Sequence, residues 1–195
     1  MALVVPFEGL PGCGKSTAIE AIKRDPRLRG LKVAVLDIDS SPDAPFIRLI
    51  TNACAFDSPI RMLLFWALHL QLYDIIQRRK NDTDIILVDR FLGSLRAYDV
   101  YGNGVPRELA DWVSQYIKRW PDITFFLDVP LEVAQKRKQS KTFADPDFAK
   151  RVCRGYQKLA REFSWVLIDA DRDPTFVAGQ CVELIIARLN GPDIR

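Results

Sequence analysis

Residues 7–17 read Phe-Glu-Gly-Leu-Pro-Gly-Cys-Gly-Lys-Ser-Thr, and the stretch from Gly9 to Ser16 is a full G-x-x-x-x-G-K-[ST] phosphate loop. The flanks are those the loop requires. Leu3, Val4, Val5 and Phe7 form an apolar run that predicts a strand, and Thr17 to Arg24 predicts the start of a helix. In such a loop, residues Gly9, Leu10, Pro11, Gly12, Cys13 and Gly14 wrap a β-phosphate, and all but Pro11, which has no backbone N–H, can turn an N–H group onto it. Lys15 reaches the β/γ oxygens, the Ser16 hydroxyl meets Mg²⁺, and Thr17 opens the helix. The chain is therefore expected to bind ATP or GTP.

The rest of the pattern alternates. Apolar β-type runs recur at 3–7, 33–38, 85–88, 123–127 and 165–168, with helical stretches between them at 15–24, 44–53, 58–80, 94–100, 106–119, 130–138, 147–163 and 174–189. Continuous apolar strands separated by helices predict an α/β fold: a three-layer, doubly wound parallel five-stranded sheet with helices on both faces. Ligands gather at the carboxyl ends of such strands, and Asp39, Asp89 and Asp128 fall near those ends. The segment 60–76 is apolar nearly all round, which predicts burial on more than one side, in the core or against a second subunit.

Composition narrows the class. With 195 residues, 48% hydrophobic and 27% charged, the expectation is one globular domain spanning 1–195. A net charge of +3 gives no argument for polymeric nucleic acid, and no apolar run approaches a membrane span. The N-terminal apolar residues belong to the first strand, so no signal peptide is expected. Cys13, Cys54, Cys153 and Cys181 are scattered without C-x-x-C spacing, which argues for reduced thiols and a cytoplasmic location rather than zinc.

Two further signals concern phosphoryl chemistry. Residues 85–91, Ile-Ile-Leu-Val-Asp-Arg-Phe, form a strand ending in an acid. This is how Asp89 would be presented to order Mg²⁺ beside Ser16, with Arg90 placed to clamp a phosphate. Lys136, Arg137, Lys138 and Lys141 form a basic stretch after a helix. It reads either as a solvated helix end or as a short lid, near 136–146, that closes over the nucleotide and neutralises the moving phosphoryl group. The GTPase base-reading motif (N-K-x-D) is missing from the sequence, which disfavours a nucleotide-dependent switch.

Five segments, in order, resemble the thymidylate kinases. The loop looks like their F-E-G-x-x-x-x-G-K-S-T. Leu64-Phe65-x-Ala67 is similar to their L-F-A, and Asp89-Arg90-Phe91…Ser94…Ala97-Tyr98 to D-R-[YH]…S…A-Y. Leu127-Asp128-Val129-Pro130-x-x-Val133-Ala134 resembles L-D-V-x-P-E-x-A, and the stretch from Phe148 through Arg151, Val152 and Tyr156 to Ala160 resembles F-x-x-R-V-R-x-x-Y-x-x-L-A.

The resemblance implies ATP–Mg²⁺ as donor, a nucleoside monophosphate as acceptor and a homodimer. With Gly12 inside the loop, it assigns the catalytic cation to Arg137, Lys138 or Lys141. It places the acceptor among Asp39, Phe65, His69, Arg90, Arg96, Tyr98 and Tyr156, with Phe65 stacking on the base. The acceptor side departs from the family. Pro11 stands where an acid contacts the 3′-hydroxyl, and residues 36–42 lack the Arg that binds the acceptor phosphate. His69 falls at the Arg that reads the thymine edge, and Leu95, with Arg96 beside it, at a small or amide residue. These departures imply relaxed or redirected acceptor specificity, including another nucleotide, a nucleoside or a small hydroxyl compound.

Overall fold

The computed structural model describes residues 1–55, 59–117 and 121–191. Five strands, β1 (Leu3–Glu8), β2 (Val33–Asp37), β3 (Ile85–Asp89), β4 (Phe125–Asp128) and β5 (Val166–Asp169), form one all-parallel sheet in the order β2-β3-β1-β4-β5. The helices are α1 (Lys15–Lys23), α2 (Ala44–Ala53), α3 (Pro59–Arg79), α4 (Leu92–Leu95), α5 (Arg107–Ser114), α6 (Leu131–Arg137), α7 (Pro146–Glu162) and α8 (Pro174–Leu189), with a wide π-type turn over Arg96–Gly102. This is the predicted α/β architecture.

The strands are uniformly apolar because both faces are covered. On one side Leu3, Val5 and Phe7 pack with Ile19 and Ile22 of α1, Val152 and Tyr156 of α7, and Val182 and Ile185 of α8. On the other, Val4, Ile86 and Val88 pack with Trp66, Leu72 and Ile76 of α3 and with Val113 of α5. Asp145 and Asp173 cap α7 and α8, each accepting from two backbone N–H groups of a first turn that carries Pro.

The last strands begin later than predicted. Asp122 forms its own link to β1, its carboxylate accepting from Val4 N at 2.9 Å and its N–H donating to Val4 O at 3.2 Å, so regular pairing begins only at Phe125. The end of the predicted helix 106–119, Lys118 and Arg119, and the start of the predicted helix 58–80, Ser58, lie outside the described residues. The apolar helix α3 is mostly core: Trp66, Leu68, Leu72 and Ile76 are buried within the chain, whereas Ile60 and Leu63 are 60% and 55% exposed.

The β1–β3 register pairs Phe7 with Asp89, and Arg90 N donates to Phe7 O at 3.1 Å. That register sets the phosphate loop after β1 beside the turn after β3. Chemistry-bearing residues from both segments meet at the carboxyl edge of the sheet, where a doubly wound fold opens a crevice.

Candidate active site

The loop between β1 and α1 is shaped by close backbone approach. Gly12 has φ of +80°, and a Cβ there would lie 2.4 Å from Ala134 O and 3.1 Å from Lys138 Cβ. Gly9, at φ +140°, would place a Cβ 2.7 Å from Leu127 O. Cys13 is buried in the core, the plain packing role for a small side chain at that position.

Lys15 is buried too, its ammonium donating to Gly9 O at 3.2 Å and Leu10 O at 3.0 Å. Burial, reinforced by Arg90, lowers its pKa below the ordinary lysine value. The Ser16 hydroxyl donates to Asp89 Oδ2 at 2.9 Å. A hydroxyl and a carboxylate meeting at the mouth of the loop are the hard oxygen donors that Mg²⁺ takes.

Two cavities adjoin along this edge. One, of about 450 Å³, is lined by residues 11–18 of the loop and α1, by Asp89, and by Arg137, Ala170, Arg172 and Pro174. The other, of about 420 Å³, is lined by Arg48, Arg61, Phe65, His69, Ser94, Leu95, Tyr98, Asp99, Asn103 and Lys141, among others. Three residues, Pro11, Arg90 and Lys138, line both.

Arg90 occupies the junction with a positive φ of 71°, rare for a residue with a side chain. Its Nη1 donates to Gly9 O at 3.0 Å, Tyr156 Oη at 2.9 Å and Ser94 Oγ at 3.2 Å. Beneath it Glu8 is 1% exposed, accepting from Phe91 N at 2.9 Å and from Ser94 Oγ at 2.6 Å. Burial pushes the Glu8 carboxyl up to about 7, against the pull of those two hydrogen bonds and of the Arg90 and Lys15 charges.

The basic stretch divides by position. Arg137 is tethered to Ala170 O at 2.9 Å and Asp171 Oδ1 at 3.0 Å, on the loop side. Lys141 lines only the second cavity, and Lys138 stands between the two.

In the second cavity, two guanidiniums stand near the Phe65 ring, with Arg61 Cζ 5.1 Å and Arg48 Cζ 5.7 Å from its centroid. His69 is buried one turn further along α3, its Nδ1 donating to Phe65 O at 2.8 Å. Burial lowers its pKa to about 4, so the ring is neutral at ordinary pH and Nε2 is the unprotonated nitrogen. Nε2 has no hydrogen-bond partner among the described residues. Asp99 accepts from Trp66 Nε1, and burial raises its carboxyl to about 6.

Three expected acceptor residues stand elsewhere. Asp39 lines neither cavity; it holds Arg48 in a two-bond ion pair, both contacts at 2.7 Å. Arg96 is turned off the cavity, because Leu95, Tyr98 and Asp99 occupy the cavity face of the wide turn. Its guanidinium pairs instead with Asp111 at 2.7 Å and Ser114 at 3.0 Å, over the Phe163 ring. Tyr156 is fully buried and reaches the site through Arg90, Ser94 and an edge-on contact with the Tyr98 ring. Arg151 donates to Gly102 O at 3.0 Å and lines neither cavity.

Residues 36–42 hold no guanidinium, and two stand in the second cavity from elsewhere: Arg48 of α2 and Arg61 of α3. A signal for Arg61 was present: Arg61, Phe65 and His69 repeat at i, i+4, one stripe of α3.

A family model described as thymidylate kinase matches residues 7–178. The chain belongs to the thymidylate kinase family. It is 32% identical over 209 residues to the thymidylate kinase of Chlorobaculum tepidum, covering 95% of this chain and 97% of that protein. It is 29% identical over 200 residues to the thymidylate kinase of Acinetobacter baylyi, covering 95% and 99%. A probable thymidylate kinase 1 of Saccharolobus solfataricus is 27% identical over 188 residues, covering 95% and 97%. The protein is thus a nucleotide kinase, a phosphotransferase acting from ATP on a nucleoside monophosphate. Among the described residues, no helix is long and apolar enough to cross a membrane.

Proposed function

We propose that this thymidylate kinase family member moves the γ-phosphoryl group of ATP across the junction held by Arg90 and Lys138, onto a phosphate oxygen of thymidine monophosphate. The observation that carries the reading is that junction: a donor cavity built on the phosphate loop and an acceptor cavity built on Phe65 meet at Arg90, Lys138 and Pro11, which line both.

The chain's residues take these roles. Loop amides from Gly9 to Thr17 and the Lys15 ammonium hold the donor phosphates. Arg90 holds the acceptor phosphate through its Nη2 and Nε, because its described hydrogen bonds to protein all run through Nη1. Arg48 and Arg61 add positive charge near Phe65, on which the base stacks, and Tyr98 closes the wall. Ser16 and Asp89 would hold Mg²⁺, which supplies charge neutralisation at the donor phosphates. Lys138 stabilises charge on the group in flight, with Arg137 on the donor side and Lys141 on the acceptor side. No covalent intermediate is required; the catalysis is positioning and electrostatics.

The substitution at His69 leaves base discrimination weaker than a charged reader would give, and Pro11 leaves the 3′-hydroxyl without a carboxylate partner. The 136–146 segment acts as the lid of a single domain. Exposed Phe46, Leu49, Ile60 and Leu63, on α2 and α3, support a homodimer through that face. Four free thiols support a reducing, cytoplasmic setting.

The test is ADP release across thymidine, deoxyuridine, deoxycytidine, deoxyadenosine and deoxyguanosine monophosphates. Thymidine monophosphate is expected to turn over with kcat/KM on the order of 10⁴–10⁶ M⁻¹s⁻¹. Turnover of another monophosphate alone would move the acceptor assignment, and turnover of none would remove it.

A further inference from the structure

Glu8 is buried beneath the site, touches neither cavity and has no place in the reaction as described above. Its surroundings are built to keep it there. Gly93 leaves the necessary room, since a Cβ at that position would lie 2.8 Å from Glu8 Cδ and 2.4 Å from the Trp165 ring. The two carboxylate oxygens are divided: Oε1 takes Phe91 N and Oε2 takes the Ser94 hydroxyl. The first bond spans the left-handed Arg90 and fixes the backbone on its far side.

The second bond sets a direction. Ser94 has one hydroxyl proton, and at 2.6 Å it belongs to Glu8, an acceptor when ionised. The Ser94 oxygen therefore accepts from Tyr156, whose hydroxyl lies 2.8 Å away. Tyr156, its own proton spent on Ser94, accepts from Arg90 Nη1 at 2.9 Å. Arg90 carries donors only, so the chain of bonds runs one way: Arg90 to Tyr156 to Ser94 to Glu8. Nη1 also reaches Ser94 Oγ and Gly9 O, which leaves one edge of the guanidinium committed to the protein and the Nη2 and Nε edge without a described partner.

We propose that Glu8 is a positioning residue for the acceptor phosphate: through Ser94 and Tyr156 it fixes the polarity of the hydrogen bonds that hold Arg90, and so the direction in which the free guanidinium edge points. The inference rests on the reading of Arg90 as the acceptor-phosphate ligand. Glu8 touches no substrate; its effect reaches the reaction through Arg90.

Glu8→Gln is the informative substitution because it preserves shape and reverses one bond. Phe91 N requires the amide oxygen, so the amide NH₂ must face Ser94. The Ser94 proton is then met by another donor and must swing toward Tyr156, and the chain loses its polarity. Ser94→Ala cuts the same chain while leaving the carboxylate in place, and serves if Glu8→Gln does not fold.

The experiment is steady-state ADP release at a pH well above the Glu8 value of about 7, where its carboxylate is ionised, with each substrate varied in turn, in wild type, Glu8→Gln, Ser94→Ala, Arg90→Lys and Glu8→Gln/Arg90→Lys. The expected result is an acceptor KM raised tenfold or more in both Glu8→Gln and Ser94→Ala, with the ATP KM within twofold of wild type. In the Arg90→Lys background, Glu8→Gln should add less than twofold, since the residue it acts through is already changed. Equal rises in both KM values would mark Glu8 as a general support of the fold and overturn the proposal. An unchanged acceptor KM, or full additivity with Arg90→Lys, would overturn it as well. If Arg90→Lys itself leaves the acceptor KM unchanged, the acceptor-phosphate reading falls and takes the proposal with it. If Arg90→Lys raises that KM and Glu8→Gln does not, the proposal alone fails.

Discussion

Lys138 rests on Gly12: a Cβ at Gly12 would meet the Lys138 Cβ at 3.1 Å and the Ala134 carbonyl at 2.4 Å. The end of α6 is thereby seated directly on the phosphate loop, and the Lys138 side chain starts from a fixed point between the two cavities. Lys138→Ala should lower kcat by about 10²-fold with a smaller change in either KM, the pattern of an interaction made mainly in the transition state. Arg137→Ala should cost less, because its guanidinium is held by Ala170 and Asp171. Gly12→Ala combines a strained φ with the clash and should lower kcat by lifting α6. If Arg137→Ala proves the more damaging of the two lid substitutions, the catalytic cation has been assigned to the wrong residue.

Lys15 is part of the loop's own structure as well as a phosphate ligand. It is 6% exposed and donates to two loop carbonyls. Lys15→Ala is therefore expected to lower kcat/KM by about 10²-fold or more and to abolish the thermal shift produced by ATP. A retained ATP shift together with wild-type turnover would remove Lys15 from the donor site.

The face formed by α2 and α3 presents Phe46, Leu49, Ile60 and Leu63, each at least 55% exposed. Trp66 does not belong to it: its indole is inside the chain, bonded to Asp99. A charge placed at the centre of this face, Leu63→Glu, should convert a dimer to a monomer by light scattering at micromolar concentration while leaving secondary structure intact. A wild-type protein that is already monomeric would end the dimer reading.

Most of the frame was readable from periodicity and the phosphate loop, because strands covered on both faces leave an unmistakable apolar run and the loop needs glycine and lysine at fixed spacing. Pairing across the sheet was not readable, yet it is what brings Ser16 to Asp89, 73 positions apart. The acceptor side was harder for a different reason. Residues 36–42 hold no Arg, and of the two guanidiniums beside Phe65, Arg61 shares its stripe of α3 whereas only tertiary packing brings Arg48 there from α2. Arg96 misled for the opposite reason: next to Leu95 in sequence, it is carried to the other side of a wide turn that propensity does not foretell. The role of Glu8 is not legible beyond its place in a motif, since nothing in sequence spacing shows that its partners are Phe91 and Ser94.

His69 gives the molecule a defined acid sensitivity. Its Nδ1 donates to Phe65 O, and burial lowers its pKa from 6.5 to about 4. A depressed folded pKa means that folding favours the neutral ring. The stabilisation is complete above the unfolded value of 6.5 and is lost as pH falls from there toward 4. Glu8 works in the opposite sense. Its folded pKa of about 7 lies above 4.5, so its contribution is complete below 4.5 and is lost as pH rises to 7. Between 4.5 and 6.5 the two slopes oppose each other, and the wild-type curve alone does not separate them. His69→Gln does, because glutamine cannot titrate there and its amide can still donate toward Phe65 O. Between pH 7 and pH 5 the stability of His69→Gln should gain on wild type by about 2 kcal/mol, the cost of holding one buried imidazole neutral over that interval. Urea denaturation of both proteins at the two pH values gives the comparison directly. Parallel curves would mean that His69 takes up its proton in the folded protein as readily as in the unfolded chain, and that the wall of the acceptor cavity carries a cation at position 69 under mildly acidic conditions.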